Sequence, residues 1–158
     1  MSTTLNMITL RPGMPADIAT IDRIMQRAFD PRFGEAWTRG QCLGILAMPG
    51  VWLTLAALNG DVAGFALARA IAGEAELLLL ACLPEVRRRG VGGALLRSVI
   101  NDAQDRNATK IYLEVRRGNE ALDLYRSSGF LKVGERLAYY RGTSGQLYDA
   151  LTFERQLA

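Results

Sequence analysis

The sequence predicts an α/β fold formed by one domain over residues 1–158. A length of 158 residues suits a single domain, because a chain of this size buries roughly two thirds of its unfolded surface. The spacing of apolar residues also changes along the chain, from helical to extended and back again. These changes give the order strand, two helices, three strands, helix, strand, helix and two strands.

A short strand and two helices begin this order. Residues 7–11 alternate weakly between apolar and polar side chains, and Pro12 ends the strand. Apolar residues then recur at helical spacing between Asp17, which can cap a helix, and Pro31, which ends one. A weaker helical pattern over residues 37–47 predicts the second helix.

Three extended apolar runs follow, over residues 51–58, 62–70 and 75–83. Short turns that contain Gly60 and Gly73 connect them. Because short turns join antiparallel neighbours, the three runs predict an antiparallel meander.

The last part of the chain alternates between helical and extended patterns. Helical spacing returns from residue 90 to about residue 106, with apolar side chains on one face. The remaining predicted elements are a strand, a helix that Gly129 ends, and two strands, over residues 111–115, 120–127, 131–140 and 147–157.

The charge pattern indicates a small anionic ligand. The chain carries 19 basic and 16 acidic residues, a net charge of +3, which is well short of a nucleic-acid-binding composition. Its one dense basic cluster, residues 87–89, directly precedes glycines and does not run along a helix face. We therefore expect no nucleic-acid partner.

Three absences narrow the class of function. The sequence contains no histidine, which removes histidine-based triads and histidine-ligated metals, so we expect no metal. Its two cysteines, Cys42 and Cys82, are too few for a disulfide framework and favour a reducing compartment, by default the cytoplasm. Without a signal-peptide pattern or an apolar run of roughly 18 residues, we expect no membrane association.

The clearest motif is the run Arg-Arg-Arg-Gly-Val-Gly-Gly at residues 87–93, between a predicted strand and a predicted helix. Backbone N–H groups at a helix N-terminus attract anions, and glycines let a phosphate approach the backbone closely. The run is neither a Walker loop nor a dinucleotide fingerprint, since Leu95 stands where the third glycine belongs. It predicts a pyrophosphate site, and a plain glycine-rich turn with solvated arginines is the alternative.

The same residues resemble the acetyl-coenzyme A signature of GNAT acetyltransferases, Arg/Gln-x-x-Gly-x-Gly/Ala, with Arg87, Gly90 and Gly92 in the defining places. Residues 124–130, Leu-Tyr-Arg-Ser-Ser-Gly-Phe, resemble the second signature of that family. Residues 113–116, with the later Tyr-Tyr and Asp-Ala pairs, resemble the branch that acetylates protein N-termini, in particular the bacterial ribosomal-protein-alanine N-acetyltransferases.

This resemblance implies a GNAT fold, whose mixed and mostly antiparallel sheet splays where Ala81 and Cys82 end a strand. Acetyl-CoA, as co-substrate, would lie in the gap. The implied cofactor-binding residues are Leu80, Ala81, Cys82, Arg87, Arg88, Arg89, Gly90, Val91, Gly92, Gly93 and Asn119. The implied partner is the N-terminus of a ribosomal protein that begins with alanine, and we expect a monomer or a weak dimer.

The resemblance also implies that Glu114 is the general base and Tyr125 the general acid. Tyrosine has a pKa near 10 and stays protonated at neutral pH, so it can supply the proton that a leaving thiolate needs. The residues themselves leave other interpretations open. Glu114 alternates with apolar neighbours as the polar face of a strand does, and Tyr125 suits a helix core. Cys82 is better read as a small buried hydrophobe than as an acyl carrier.

The chain departs from the family pattern between Glu114 and Tyr125, where it is one residue shorter. Gly118 stands where the family has the asparagine that starts the helix, and Asn119 comes one place later. The departure leaves open which residue caps the helix.

Two other functions also remain open. One is a GNAT enzyme that acetylates a small-molecule amine, which a screen of acceptors would reveal. The other is a binding module that senses acyl-CoA and yields no acetylated product.

Overall fold

A computed structural model describes residues 6–157, so residues 1–5 and 158 of the predicted domain lie outside the described part. Every predicted strand and helix is present. The strands are β1 (Ile8–Pro12), β2 (Val51–Leu58), β3 (Asp61–Ile71), β4 (Glu74–Cys82), β5 (Lys110–Arg116), β6 (Leu131–Arg141) and β7 (Leu147–Gln156). The helices are α1 (Ile18–Ala28), α2 (Arg39–Leu46), α3 (Val91–Asp105) and α4 (Leu122–Ser127).

The strands form one seven-stranded sheet in the order β1-β2-β3-β4-β5-β7-β6. Neighbouring strands are antiparallel except β4 and β5, which run parallel. This topology confirms the predicted mixed, mostly antiparallel sheet and the meander of β2, β3 and β4. Within residues 6–157, no helix has the length and apolar character that a membrane span requires.

Helix α1 begins directly after Asp17, as predicted, but without the predicted side-chain cap, and α2 begins later than predicted. Asp17 precedes α1 but makes no side-chain cap there. Its carboxylate instead accepts from the Met14 N–H at 2.9 Å and pairs with Arg11 at 2.9 Å. Helix α2 begins at Arg39, two residues after the predicted start at 37, because Thr38 caps it and accepts from a backbone N–H at 3.1 Å.

The hydrophobic core surrounds β3. Gly64 lies against Val91 and Leu95, so this face of the sheet packs on the first turns of α3. Phe65 and Leu67 are fully buried and point to the opposite face, and α1 contacts β3 and β4. Each such side chain contributes about 1.5–3 kcal/mol when it is fully buried. The first turns of α3 are thereby fixed against β3.

The sheet opens between β4 and β5. Their parallel pairing runs from Glu74 opposite Lys110 to Leu77 opposite Leu113 and stops there, although β4 continues to Cys82. The register between β3 and β4 also shifts at this point and leaves Leu78 without a partner on β3. The splay therefore begins at residue 78, earlier than the predicted site at Ala81 and Cys82.

Strand β6 forms one edge of the sheet and is mostly exposed. Leu131 and Leu137 are 72% and 76% accessible. Its pairing with β7 is interrupted twice, between Lys132 and Gly134 and between Arg136 and Tyr140. This edge is consequently irregular, with short paired runs.

Candidate active site

The first turn of α3 faces the splayed end of β4. Gly90 precedes the helix with φ +90, a conformation that favours glycine, and its carbonyl accepts from the Ala94 N–H at 3.0 Å. The N–H groups of Val91, Gly92 and Gly93 therefore have no acceptor within the helix. Together with the helix dipole they form a site suited to a phosphate.

The three arginines before this turn adopt different roles. Arg87 donates to the backbone carbonyl of Ala28 at 3.0 Å, and Arg89 donates to the side-chain oxygen of Asn6 at 2.8 Å. Arg88 has a left-handed backbone conformation, with φ +62. Two of the three predicted phosphate-binding arginines thus make contacts within the protein and fasten the loop to α1 and to the start of β1.

The end of β4 supplies backbone groups and one thiol to the gap. Leu80, Ala81 and Cys82 pair with β3 on one side and lie beyond the last residue that pairs with β5 on the other. Cys82 lies beside Gly92 of α3. Burial raises the pKa of its thiol to about 11, and nearby Arg87 opposes the shift. The thiol is therefore protonated at neutral pH.

Tyr125 lies on α4 and is 7% exposed. Burial raises the pKa of its phenol well above the usual value, and Cys82 and Glu35 add to the effect. Its ring packs edge-on against Phe130 with the centroids 5.9 Å apart. Tyr125 is thus a largely buried residue, as its helical pattern suggested, whose phenol keeps its proton at any physiological pH.

Glu114 lies on β5 and uses both carboxylate oxygens. The Thr152 hydroxyl donates to Oε2 at 2.9 Å, and the Arg136 guanidinium pairs with Oε1 at 2.9 Å. The Glu114 side chain is 16% exposed, while that of Arg136 is 62% exposed. Thr152, one partner of Glu114, is therefore held within the sheet. Arg136, the other partner, reaches Glu114 from the edge strand.

A buried network beside the site was missed by the sequence reasoning. The Glu35 carboxylate pairs with Arg116 at 3.0 Å and accepts from the Asn119 amide at 2.7 Å. The side chains of Glu35 and Arg116 are only 9% and 11% exposed. No local pattern points to this contact, because Glu35 lies 81 residues before Arg116 in the chain. We call these three residues the Glu35 network.

The Glu35 network also shows how the shortened loop starts α4. The Asn119 side-chain oxygen accepts from the Ala121 N–H at 2.7 Å, and so caps the turn. Gly118 precedes it with φ +85, a conformation that favours glycine. In the family pattern, an asparagine at the position of Gly118 would supply this cap. Here Asn119 supplies it, and its amide also donates to Glu35.

Aromatic side chains gather where the loop after α1 meets the β6–β7 hairpin. Phe33 packs edge-on against Tyr148 with the centroids 5.2 Å apart, and the guanidinium of Arg116 lies 3.7 Å from the Phe33 ring centroid. Tyr139 and Tyr140 pack edge-on with centroids 4.9 Å apart. Burial raises the pKa of Tyr140, and Glu35 adds to the effect. Tyr139 is 50% exposed, so the cluster has a buried and an open end.

Comparison with known proteins identifies this combination of fold and motifs. The acetyltransferase (GNAT) family matches residues 18–130. The ribosomal protein bS18-alanine N-acetyltransferase of Escherichia coli is 38% identical over 89 residues, which are 56% of this chain and 60% of that relative. The N-alpha-acetyltransferase RimI of Mycobacterium tuberculosis is 38% identical over 95 residues, which are 57% and 58% of the two chains.

Structural similarity extends further than these sequence matches. The chain spans about three fifths of the length of the curated relatives that it matches. The crystal structure of the ribosomal-protein-S18-alanine N-acetyltransferase from Escherichia coli resembles it with a TM-score of 0.84 and 29% identity. That likeness covers 96% of this chain and 95% of the other.

Proposed function

The chain belongs to the acetyltransferase (GNAT) family, and on that premise we propose that it transfers an acetyl group from acetyl-CoA to the N-terminal α-amine of a protein. The acceptor that we propose is a ribosomal protein that begins with alanine. The similarity to two relatives whose names specify alanine or N-alpha acetylation supports this choice. With such an acceptor, the reaction would take place in the cytoplasm.

One observation carries the proposal: β4 and β5 part after Leu77 and Leu113, next to the first turn of α3. Backbone groups of Leu80, Ala81 and Cys82 would bind the pantetheine arm, which has amide groups of its own. The free N–H groups of Val91, Gly92 and Gly93 would bind the pyrophosphate, together with Gly90 and Arg88. Arg87 and Arg89 would add positive charge beside it while they hold the loop through Ala28 and Asn6. Asn119 would act mainly by holding the start of α4, since its oxygen caps that turn.

Acetyl-CoA supplies an activated acetyl group, and the protein would supply a base, an acid and alignment. Glu114 would accept the proton of the acceptor ammonium through water, as a carboxylate that Thr152 and Arg136 hold in place. Tyr125 would donate a proton to the departing sulfur, since its phenol remains protonated. The Cys82 thiol would remain uncharged and would form no covalent intermediate, because its pKa is about 11.

The proposed acceptor fits a site with a single candidate base. An N-terminal α-amine has a pKa of about 7.7–8.0, whereas a lysine side chain has one of about 10.4. Deprotonating the α-amine at neutral pH is therefore easier by more than two pKa units. One carboxylate is sufficient for that task.

The test uses purified protein, acetyl-CoA and two peptides. The first is an alanine-starting ribosomal peptide with a free N-terminus, and the second is the same peptide with a blocked N-terminus and a free lysine. Mass spectrometry should locate one acetyl group on the free α-amine and none on the lysine. Glu114→Gln and Tyr125→Phe should each lower kcat by about 10²- to 10⁴-fold, the usual contribution of a general acid or base.

Two results would contradict the proposal. Acetylation of the lysine peptide alone would replace the proposed acceptor with a side-chain amine. Binding of acetyl-CoA without transfer to either peptide would remove the protein N-terminus as acceptor, and a screen of small amines would follow.

A further inference from the structure

The guanidinium of Arg97 lies over the first turn of α3. Arg97 comes four residues after Gly93, and residues four apart share one face of a helix. Long helical side chains also point back toward the N-terminus of their helix. One guanidinium nitrogen of Arg97 lies 3.2 Å from the position that a Cβ on Gly93 would take. The guanidinium therefore rests on bare backbone, close to the free N–H groups of the first turn.

This position is electrostatically unfavourable for a cation unless an anion is bound nearby. The N-terminus of a helix is its positive end, which disfavours cations and attracts anions. Three further arginines, residues 87–89, lie in the loop that leads into the helix. A guanidinium that nevertheless folds back onto this turn indicates a place where a negative charge would be held from two sides.

The protein supplies little negative charge to this turn. Arg87, in the preceding loop, lies 3.7 Å from Glu120. Within residues 6–157, however, no carboxylate forms an ion pair with Arg88 or Arg97. The Arg97 side chain is also exposed, so its guanidinium can turn toward a bound ligand. The negative charge that would balance Arg97 must therefore come from a ligand.

We propose that Arg97 is a cofactor-binding residue, which holds the pyrophosphate of acetyl-CoA against the first turn of α3. This inference rests on the proposed function, in which the N–H groups of that turn bind the same pyrophosphate. Arg97 lies outside the glycine-rich run at residues 87–93 and adds a cation from the second turn of the helix. Its planar guanidinium suits two phosphate oxygens at once, and the charge of the pyrophosphate would offset the repulsion between the guanidinium and the helix end.

Isothermal titration calorimetry with coenzyme A and with dephospho-coenzyme A tests this role. The two ligands share the pyrophosphate and differ only in the phosphate on the ribose. Arg97→Met should raise the Kd of both ligands by about tenfold, the effect of one charge-assisted hydrogen bond. Arg97→Lys should recover part of the loss, since the charge returns without the forked geometry.

The matched control is Arg106→Met, which removes the same charge at the other end of the helix. Arg106 lies about 13 Å further along the axis of α3, where its guanidinium stacks 4.0 Å from the Trp52 ring centroid. This variant should keep the wild-type Kd for both ligands. The Kd of coenzyme A should also rise less steeply with salt in Arg97→Met than in wild-type protein and in Arg106→Met, because one exposed charge contact is lost.

The outcomes separate this inference from the function on which it rests. An unchanged Kd for coenzyme A in Arg97→Met, or an equal loss in Arg106→Met, would overturn the role of Arg97 and leave the proposed function intact. A loss for coenzyme A without one for dephospho-coenzyme A would place the guanidinium on the ribose phosphate and overturn the pyrophosphate contact. Failure of wild-type protein to bind either ligand would overturn the proposed function and this inference with it.

Discussion

Burial controls the protonation of two side chains at the gap between β4 and β5. Tyr125 and Cys82 lie near each other there, and the pKa of each group is raised chiefly because the site excludes water. Both groups therefore keep their protons at neutral pH. A protonated Tyr125 can act as a proton donor. A protonated Cys82 is a poor nucleophile.

The thiol of Cys82 should resist alkylation at neutral pH. With a pKa of about 11, only about 0.1% of it is thiolate at pH 8, against about a quarter for an ordinary thiol. Iodoacetamide labelling followed by peptide mass spectrometry should be slow at pH 8 and accelerate as the pH rises toward 10. Unfolded protein is the control and should label quickly at pH 8.

Rapid labelling of native Cys82 at pH 7 would contradict this prediction. It would mean that the thiol is ionised or open to solvent, and a covalent role for it would need to be tested again.

At the scale of elements, the Glu35 network joins three segments that are distant in the chain. Glu35 belongs to the loop between α1 and α2, Arg116 ends β5, and Asn119 caps the turn that leads into α4. A change in the loop is therefore transmitted to the helix that carries Tyr125. In this way the loop after α1 and the helix that carries the proposed acid are positioned together.

Removal of Glu35 should destabilise the protein strongly. Glu35→Ala leaves the Arg116 guanidinium buried without its carboxylate, and the free energy of unfolding should fall by about 3–5 kcal/mol. Urea denaturation followed by circular dichroism measures this change. The control is Glu120→Ala, which removes a carboxylate that is 86% exposed and lies 3.7 Å from Arg87.

The control variant should lose less than about 1 kcal/mol, because exposed ion pairs contribute little. Similar losses in the two variants would show that the Glu35 network does not stabilise the fold.

The elements themselves were largely predictable from the sequence, because their periodic patterns are local. The meander is an example: the predicted strand 62–70 became Asp61–Ile71, one residue longer at each end. Contacts between distant segments were not predictable. The partners of Glu35 and Glu114, and the early parting of β4 and β5 at Leu78, depend on which strands become neighbours.

At the candidate site, too, local features could be predicted from the sequence, whereas contacts between distant residues could not. The glycine-rich turn and its strand-to-helix setting were predicted from local spacing, and the structure has that turn before α3. The use of Arg87 and Arg89 within the protein was not predicted, since Ala28 and Asn6 lie more than 50 residues earlier in the chain. The roles of Glu114 and Tyr125 stay predictions until their variants are assayed.

At the scale of the whole molecule, the site is assembled from elements of both halves of the chain. The meander supplies one wall through β4, and the second half supplies α3, β5 and α4. A ligand in the gap would contact the open side of β4 and the first turn of α3 together. It should therefore rigidify these parts more than the paired interior of the meander.

Coenzyme A should slow hydrogen exchange at the amides of residues 78–82 and 91–93 and leave β2 unchanged. At a concentration about 100 times its Kd, it should also stabilise the fold by about 2.7 kcal/mol. Hydrogen exchange with mass spectrometry measures the first effect, and urea denaturation the second. Gly92→Val should remove both, because a branched side chain in the first turn of α3 would keep a phosphate from approaching the backbone N–H groups closely.

The control is Gly44→Ala in α2, where an added Cβ has no atom within 4 Å among the described residues. This variant should keep the protection. Protection confined to the surface of α2, or its persistence in Gly92→Val, would place the ligand away from the gap.

The interrupted pairing of β6 should reduce aggregation at high protein concentration. A straight edge strand presents a continuous row of N–H and C=O groups, which invites runaway strand addition and fibril growth. The two breaks in β6 leave three residues, Gly134–Arg136, as the longest uninterrupted run, and charged side chains at Glu135 and Arg136 lie within it. Leu131 and Leu137 can therefore remain accessible without nucleating aggregates.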